Sequence, residues 1–253
     1  MLVAIDIGNS NVSLAINKND KWQHFWRYPT IRNESPFFYR MKIHNDLLEH
    51  DIDTEIVNKV VLSSVVPSLS PVFKEILPEI FTAPMVIVGP DVYPHLSLKI
   101  DNPNEIGSDL VANAVAAHSI YQKDCIVVDF GTALTFTTVT RKGEVLGVSI
   151  APGLKTAIGA LFSNTAQLPE VPLQLPETPV GKNTIHAIQS GILVGYVGMV
   201  RHMLSEIRKE VGQHYIAVAT GGLSSILHPL KDQFVDIDVE LTMNGLKIIG
   251  DHH

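Results

Sequence analysis

The sequence predicts an α/β protein built from two similar layered domains with a cleft between them. The first reason is an internal repeat, because the run VAIDIGNS at residues 3–10 is echoed by IVVDFGTA at residues 126–133. Each copy is an apolar run that ends in Asp, a hydrophobic residue and Gly, with Asp6 and Asp129 about half the chain apart. The second reason is that a meander of strands and then alternating helices and strands follow each copy.

In the first half, Val12, Leu14 and Ile16 alternate with polar residues, which is the spacing of a half-buried strand. A turn then leads to a third strand over 23–28, so that the half opens with an antiparallel meander. Further along, we predict helices over 36–51, 70–81 and 108–121, and strands over 60–65 and 85–88.

The second half repeats this order. Residues 134–140 are rich in Thr, Phe and Val, which favour strands, and a further strand is predicted over 144–150. A long helix over 183–211 and a strand over 215–219 follow. The proline-rich stretch 168–179 is expected to be an extended surface loop. We place the domain boundary within the helix over 108–121, which gives domains of residues 1–118 and 119–253.

Composition excludes several classes of protein. The 253 residues are 45% hydrophobic, enough for an ordinary core, so disorder is excluded. The formal net charge of −7 argues against a nucleic-acid-binding or anionic-membrane surface. The single cysteine, Cys125, excludes a disulfide framework and is expected to be buried and inert. No basic leader or signal-peptide core precedes the first strand, so a cytoplasmic protein is expected.

The glycine turns after the repeated strands are candidates for phosphate binding. Glycine lets a phosphate approach the backbone N–H groups of a tight turn, and a carboxylate at the strand end can hold a cation beside it. One such turn is more often purely structural, but two in matching contexts favour function. A third turn at Ala219–Gly222 could receive an adenosine, or could simply lead into a helix. No Walker loop, dinucleotide fingerprint or zinc-type histidine spacing is found in the sequence.

These turns resemble the two phosphate motifs and the adenosine motif of the acetate and sugar kinase/actin superfamily. More narrowly, the whole chain resembles the type III pantothenate kinases. The landmarks that carry this resemblance occur in the family's order: DIGNSN at 6–11, DNPNEIGSD at 101–109, DFGTA at 129–133, APG at 151–153, GKNT at 181–184, TGG at 220–222 and LTMNGL at 241–246.

The resemblance implies two duplicated actin-like (ribonuclease H-like) domains, each a mixed five-stranded sheet with flanking helices. It implies transfer of the γ-phosphoryl group of ATP to the primary hydroxyl of pantothenate, the first step of coenzyme A biosynthesis. The cofactors implied are ATP, Mg²⁺ and a monovalent cation, K⁺ or NH₄⁺. No nucleic acid or membrane is expected as a partner.

The resemblance also implies roles for individual residues. Asp109 is expected to be the catalytic carboxylate, with helix capping as its structural alternative. Asp6 is expected to hold Mg²⁺, directly or through water, and Asp129 a monovalent cation. The residues implied in binding nucleotide and phosphate are Asp6, Gly8, Asn9, Ser10, Asn11, Ser13, Gly131, Thr132, Thr135, Gly221 and Gly222. Those implied in binding the acceptor are Ile100, Gly107, Ser108, Asp109, Leu110 and Thr184.

Two acceptor positions depart from the family pattern. Leu110 stands where the family has Arg after its catalytic Asp, and Ile100 stands where it usually has Tyr. A leucine cannot form the charge-assisted fork that an arginine makes with a carboxylate. Another cation could compensate, or the chain could be a weakened or regulatory relative of the transcription-accessory type, or a kinase for a different small alcohol. The cations available for compensation include Lys155, Lys182 and Arg201.

The long helix over 183–211 suggests a homodimer. Gly191, Gly195 and Gly198 would let two helices approach closely, and apolar neighbours would add buried area. Packing of this helix against the chain's own sheet is the alternative. The resemblance also implies a symmetric dimer, with Thr184 next to its interface.

Overall fold

A computed structural model of the chain describes residues 1–224, 226 and 228–253. Its contacts divide the chain into two compact units, one of residues 1–116 with 241–253 and one of residues 117–240. Each unit contains one mixed five-stranded sheet with flanking helices, as the family resemblance implied. Among the described helices, none is long and apolar enough to cross a membrane.

The predicted strands and helices are found at nearly their expected bounds, and α4, α7 and the short β10 were not predicted. The strands are β1 (Leu2–Ile7), β2 (Asn11–Lys18), β3 (Lys21–Pro29), β4 (Lys59–Ser64), β5 (Met85–Ile87), β6 (Cys125–Phe130), β7 (Ala133–Val139), β8 (Val145–Pro152), β9 (Ile216–Thr220) and β10 (Asp236–Ile237). The helices are α1 (Pro36–Glu49), α2 (Ser70–Ile80), α3 (Ser108–Tyr121), α4 (Leu154–Asn164), α5 (Thr184–Gln189), α6 (Gly195–Val211) and α7 (Leu241–His252). The segment Ser190–Val194 between α5 and α6 is π-helical.

The two sheets have the same topology. In the first unit the strand order is β3-β2-β1-β4-β5, and in the second unit it is β8-β7-β6-β9-β10. The first three strands of each unit form an antiparallel meander, and the last two run parallel to the central strand. The central strands are therefore β1 and β6, the two copies of the sequence repeat.

Burial on both faces explains why β1 is a continuous apolar run. Val3, Ile5 and Ile7 point into a core formed with α1 and α2. Leu2 and Ala4 point to the opposite face, where they pack with residues of α3 and α7. Because side chains alternate along a strand, Asp6 lies on this second face, towards its end.

The last helix belongs to the first unit, whereas the sequence division kept it within residues 119–253. The physical reason is its packing: α7 lies against β1 and β4. Leu246 and Ile249 of this helix are fully buried with Leu2 and Val61. The indole of Trp22 on β3 donates a hydrogen bond to the Asn244 side chain at 2.8 Å, which fixes the helix to the same sheet.

Truncation of Leu246 tests this packing. Leu246→Ala removes a side chain with no exposed surface from the first unit's core, so we expect it to lower the free energy of unfolding by about 2–5 kcal/mol. Chemical denaturation followed by circular dichroism measures this. Leu48→Ala is the matched control, because Leu48 is 62% exposed and its truncation should change stability by less than about 0.5 kcal/mol. Equal effects of the two substitutions would contradict the assignment of α7 to this core.

Candidate functional site

Each central strand carries an aspartate between two hydroxyl side chains. In the first unit, Asp6 on β1 is paired in register with Ser13 on β2 and with Ser63 on β4. In the second unit, Asp129 on β6 is paired with Thr135 on β7 and with Thr220 on β9. Residues that are paired across neighbouring strands project from the same face of the sheet. The repeat in the sequence is therefore also a repeat of a hydroxyl–carboxylate–hydroxyl row.

The turn after Asp6 is closed by its own backbone. Gly8 donates its N–H to the carbonyl of Asn11 at 2.9 Å. Thr30, after β3, donates its hydroxyl to the carbonyl of Gly8 at 2.7 Å and its N–H to the carbonyl of Ser10 at 3.1 Å. Asn9, Ser10 and Asn11 are exposed, so their side chains and the turn are accessible to a ligand. A turn of this kind, with small polar side chains, can accommodate phosphate oxygens.

A line of hydrogen bonds joins Asp6 to the start of α3. Ser63 donates its hydroxyl to Asp6 Oδ1 at 2.8 Å and lies 2.9 Å from the hydroxyl of Ser108. The hydroxyl of Ser108 also accepts from the backbone N–H of Ser64 at 3.2 Å. Ser63 and Ser108 are both buried. The predicted acceptor residue Ser108 is thus joined to the predicted phosphate residue Asp6 through a residue that the sequence analysis did not select.

Asp109 lies in the first turn of α3 and is half-buried. Its Oδ1 accepts from the backbone N–H of Leu110 at 2.8 Å, so part of the capping role foreseen as an alternative is present. Gly107 lies beside it, and a Cβ at that position would be 2.5 Å from Asp109 Oδ1, so a larger residue there would displace the carboxylate. Burial raises the pKa of the Asp109 carboxyl above its usual value, and the backbone hydrogen bonds oppose that rise.

Tyr93 lies near Asp109, in a short 3₁₀ turn of residues Tyr93–His95. Its side chain is only 4% exposed and belongs to the cluster that contains Val111 of α3, with Ile100 packed against it. Burial, and then the charge of Asp109, raise the pKa of the Tyr93 phenol to about 12. Tyr93 therefore remains a neutral hydroxyl close to the candidate catalytic carboxylate.

Leu110 and Ile100, the two departures from the family pattern, are apolar and not free to meet an ion. Leu110 is buried, and Ile100 packs against the same cluster as Tyr93. Of the cations considered as replacements, Arg201 donates to the carbonyl of Pro229 at 2.8 Å and lies 3.5 Å from Asp232. Lys182 lines a cleft of about 580 Å³ in the second unit, together with Thr184.

In the second unit the turn after Asp129 is one residue shorter and is also closed by a hydrogen bond from its glycine. Gly131 donates its N–H to the carbonyl of Ala133 at 3.1 Å. Gly153 donates to the carbonyl of Thr132 at 2.9 Å, and the Thr156 hydroxyl donates to the same carbonyl at 2.6 Å. Residues at the start of α4 thus bind the backbone carbonyl of the turn, while the Thr132 side chain remains exposed.

The third glycine turn reaches the same carboxylate. Gly221 has a φ of +88°, which is strained for residues with a side chain, and a Cβ there would lie 2.5 Å from Asp129 Oδ1. Ser224 closes the turn by donating its N–H and its hydroxyl to the Gly221 carbonyl, at 3.2 and 2.8 Å. Gly222 is exposed. The structure therefore brings the DFGTA and TGG motifs together around Asp129.

Thr135 fits a role beside a cation. Its hydroxyl oxygen is buried with no hydrogen-bond partner within the described part of the chain, and it faces the same side of the sheet as Asp129. A buried hydroxyl of this kind is costly unless a ligand satisfies it. Oxygen donors from a carboxylate and a hydroxyl suit K⁺, and an uncharged hydroxyl also accepts from NH₄⁺.

Asp6 could bind Mg²⁺ only as one of few protein ligands, with water and substrate phosphates as the other ligands. Over residues 1–224, 226 and 228–253, no group of three His, Cys, Asp or Glu side chains could hold a metal ion. Mg²⁺ usually keeps several waters and is bound through one or two carboxylates together with substrate phosphates. One carboxylate beside a phosphate turn meets that requirement.

Thr184 lies in the helical segment of the second unit. It is the first residue of α5, which Asn183 caps by accepting from the N–H of His186 at 2.9 Å. Thr184 lines the cleft already described, whose apolar wall includes Leu161 and Ile188. The remainder of the helical segment exposes Gly191, Gly195 and Gly198, which a sequence argument linked to dimerisation.

The residues that sequence reasoning missed are Ser63, Thr220 and Tyr93. Ser63 and Thr220 occur near the ends of apolar strands. A hydroxyl at the end of a buried strand is the sequence signal that could have identified them. Tyr93 carries no such local signal. By contrast, Cys125 is buried, and burial raises the pKa of its thiol to about 12, which confirms the expectation of an inert cysteine.

The raised pKa of Asp109 predicts a stability gain when its charge is removed. A carboxyl whose pKa is higher in the folded state opposes folding as pH rises from its unfolded pKa through its folded pKa. Asp109→Asn cannot ionise, so at neutral pH we expect a higher melting temperature than that of the wild type. The difference should shrink as the pH is lowered towards the ordinary aspartate range, about 4.

Thermal unfolding across this pH range, followed by circular dichroism, checks the prediction. Asp91→Asn is the matched control, because Asp91 is an exposed carboxylate of the same unit and its removal should give no such gain. A melting temperature for Asp109→Asn at or below the wild-type value at neutral pH would show that burial does not dominate at this carboxyl.

Solved structures resemble this chain in fold. A protein from Campylobacter jejuni described as a conserved Baf family transcriptional activator is 18% identical, with a TM-score of 0.60, covering 98% of this chain and 96% of its own. A 2-dehydro-3-deoxygalactonokinase protein from Sinorhizobium meliloti is 12% identical, with a TM-score of 0.59 and 98% of each chain covered. At these identities the likeness shows the fold alone, which is the actin-like fold that the resemblance implied.

Sequence similarity identifies the family as well as the fold. The family model described as type III pantothenate kinase matches residues 2–206. A type III pantothenate kinase of Moorella thermoacetica is 37% identical over 249 residues, which are 98% of this chain and 98% of that protein. The motifs at Asp6, Asp109 and Asp129 lie within the matched residues. The chain belongs to the type III pantothenate kinase family.

Proposed function

We propose that this chain transfers the γ-phosphoryl group of ATP to the primary hydroxyl of pantothenate, the first step of coenzyme A biosynthesis. The observation that carries the proposal is Asp109, a half-buried carboxylate of raised pKa at the start of α3, in a chain of this family. The relative at 37% identity carries the same function in its name.

Asp109 acts on the attacking hydroxyl. Its Oδ1 accepts from the N–H of Leu110, and we assign Oδ2 to accept the hydrogen bond of the substrate hydroxyl. Phosphoryl transfer depends mainly on positioning and on stabilising charge, so the carboxylate orients the oxygen and accepts its proton as the bond to phosphorus forms. The raised pKa makes Asp109 a better proton acceptor than an exposed aspartate.

The glycine turns bind the phosphates of ATP. The Gly8–Asn11 turn offers backbone N–H groups and the exposed side chains of Asn9, Ser10 and Asn11, and Ser13 lies beside Asp6 in the sheet. The Thr132 hydroxyl contributes in the same way after β6, and the Gly221–Gly222 turn accepts the adenosine. Asp6 holds Mg²⁺, directly or through water, and that ion supplies charge neutralisation on the phosphates when it is bound.

Asp129 and Thr135 hold a monovalent cation, K⁺ or NH₄⁺. The support is the buried hydroxyl of Thr135, which has no partner within the described residues and lies in register with Asp129. A cation there offsets part of the charge of bound phosphate in a protein whose formal net charge is −7. A cation bound there also offsets the negative charge of Asp129, so that this charge does not repel the nucleotide.

The residues proposed to bind the acceptor bind pantothenate, although two of them depart from the family pattern. Ile100, Gly107, Ser108 and Leu110 remain candidates for contact with it. The altered residues had suggested a regulatory relative or a kinase for another alcohol, and family membership with 37% identity to a named kinase does not favour either. Lys182, which lines a cleft of the second unit with Thr184, remains a candidate cation for the substrate carboxylate.

The active form is a homodimer, formed through the second unit. Gly191, Gly195 and Gly198 lie exposed on the helical segment, and a Cβ at each would have no heavy atom within 4 Å. Large apolar side chains are also exposed elsewhere in the same unit, and exposed apolar surface is typical of an interface when it is contiguous. They include Leu146 and Ile150 of β8, Phe162 of α4, Val180 before α5 and Ile185 within it. We also propose that the protein works in the cytoplasm, where ATP is available, without nucleic acid as a partner.

Activity of an Asp109 variant tests the function. We expect Asp109→Asn to lower kcat for pantothenate phosphorylation by about 10²–10⁴-fold, because the amide cannot accept the proton of the attacking hydroxyl. ADP release measured by a coupled assay with ATP, Mg²⁺ and pantothenate, with and without K⁺ or NH₄⁺, gives this value. Turnover in the wild type should depend on the monovalent cation.

Asp91→Asn serves as the control for that assay, because this exposed carboxylate has no role in the proposed site. A wild-type protein that releases no more ADP than Asp109→Asn, in either cation, would overturn the assignment. Robust turnover of another alcohol with none of pantothenate would instead favour a different acceptor.

A charged substitution on the glycine stripe tests the dimer. Gly195→Arg places a long charged side chain on the exposed face of α6, so we expect the molar mass measured by light scattering to fall from that of two chains to that of one. Asn45→Arg is the control, because Asn45 is exposed on α1 in the first unit, outside the proposed interface. Two chains per particle in both variants would exclude this face as the interface.

A further inference from the structure

We propose that Ser63 is a positioning residue that couples the phosphate-side carboxylate, Asp6, to the start of the helix that carries Asp109. The inference rests on the proposed function and gives a role in the reaction to a residue outside the sequence motifs. Ser63 lies near the end of β4, and none of its surface is exposed. Its place follows from register, because β4 pairs with β1 so that Ser63 lies directly beside Asp6.

The hydrogen bonds around Ser63 have one polarity. A serine hydroxyl has a single proton, and an ionised carboxylate only accepts. Because Ser63 donates to Asp6 Oδ1 at 2.8 Å, the 2.9 Å contact with Ser108 must be donated by Ser108. Ser108 in turn accepts from the N–H of Ser64 at 3.2 Å. The protons are therefore ordered from Ser64 through Ser108 and Ser63 to Asp6.

This order makes the two ends of the line dependent on each other. Hydrogen bonds in a chain polarise one another, and the effect is largest away from water. Ser108 is the first residue of α3 and the immediate neighbour of Asp109. A phosphate or metal ion that engages Asp6 changes how strongly Asp6 accepts from Ser63, and that change reaches the hydroxyl of Ser108 beside the acceptor carboxylate.

A purely structural serine would behave differently. Ser70 provides the comparison, because its hydroxyl also takes part in local hydrogen bonds, to Ser64 Oγ at 2.8 Å and to the carbonyl of Val66 at 3.2 Å. Those bonds end on the Ser64 hydroxyl and the Val66 carbonyl, whereas the line to Asp6 begins at the backbone N–H of Ser64. Removal of the Ser70 hydroxyl should change stability without changing how nucleotide and acceptor are used.

The experiment compares Ser63→Ala with Ser70→Ala in the full chain. The first readout is the Kd of a non-hydrolysable ATP analogue with Mg²⁺, measured by calorimetry without acceptor. The second is kcat/KM for pantothenate at saturating ATP. We expect Ser63→Ala to weaken analogue binding and to lower kcat/KM by about tenfold or more, since a hydrogen bond to a charged group is lost. Ser70→Ala should leave both values close to those of the wild type.

A triple comparison isolates the coupling itself. Asp6→Asn and Ser108→Ala break the same line at two points, so their effects on kcat/KM should be less than multiplicative when combined. In a Ser63→Ala background the same two substitutions should act independently. Multiplicative effects in both backgrounds would overturn the inference.

Other outcomes are equally decisive. A folded Ser63→Ala with wild-type analogue affinity and wild-type kcat/KM overturns the role of Ser63 and leaves the proposed function intact. A wild type that does not phosphorylate pantothenate overturns the proposed function, and the analogue affinity of Ser63→Ala then still tests the inference. Should Ser63→Ala fail to fold, Ser108→Ala breaks the line at its next link and is expected to change the same two readouts in the same direction.

Discussion

Each unit is organised around an aspartate in its central strand, held between hydroxyl side chains of the strands on either side. A carboxylate in the middle of a sheet is unfavourable unless donors or a cation accompany it, so the flanking residues are constrained. Ser63 satisfies part of this need at Asp6 through a bond of 2.8 Å. Beside Asp129 the buried Thr135 hydroxyl has no hydrogen-bond partner within the described residues, and this is the observation on which the proposed cation depends.

Strand register determines which side chains lie beside each aspartate. The antiparallel β1–β2 pair and the parallel β1–β4 pair place both serines level with Asp6, and a shift of one residue would turn them to the opposite face. The glycine turns depend on the same strands, since Gly221 approaches Asp129 only because β9 runs parallel to β6 and ends beside it. Both units place a hydroxyl on each side of the aspartate, although the turn that follows is one residue shorter in the second unit.

The sequence was sufficient for features that depend on local pattern. The repeat around Asp6 and Asp129 predicted both central strands, and apolar spacing predicted α3 at its observed bounds. Packing between segments that are distant in the chain could not be predicted from local pattern. The helix α7 belongs to the first unit because it contacts β1 and β4, and nothing in its own residues predicts those contacts. The same holds for Ser63, whose importance depends on which residue of β1 it pairs with, and for Tyr93, which is brought to Asp109 by tertiary packing alone.

The environment of Asp109 shows why a reactive carboxylate and a stable fold place opposite demands on one residue. Burial beside Gly107 and near Tyr93 raises its pKa, and this destabilises the folded state whenever the group is ionised. The same rise in pKa strengthens its affinity for a proton, which a base at this position needs. A residue chosen only for helix capping would be better exposed, where the N–H of Leu110 could be satisfied without that cost. The half-buried position of Asp109 is therefore consistent with the catalytic role that we propose for it, in addition to its bond to the Leu110 N–H.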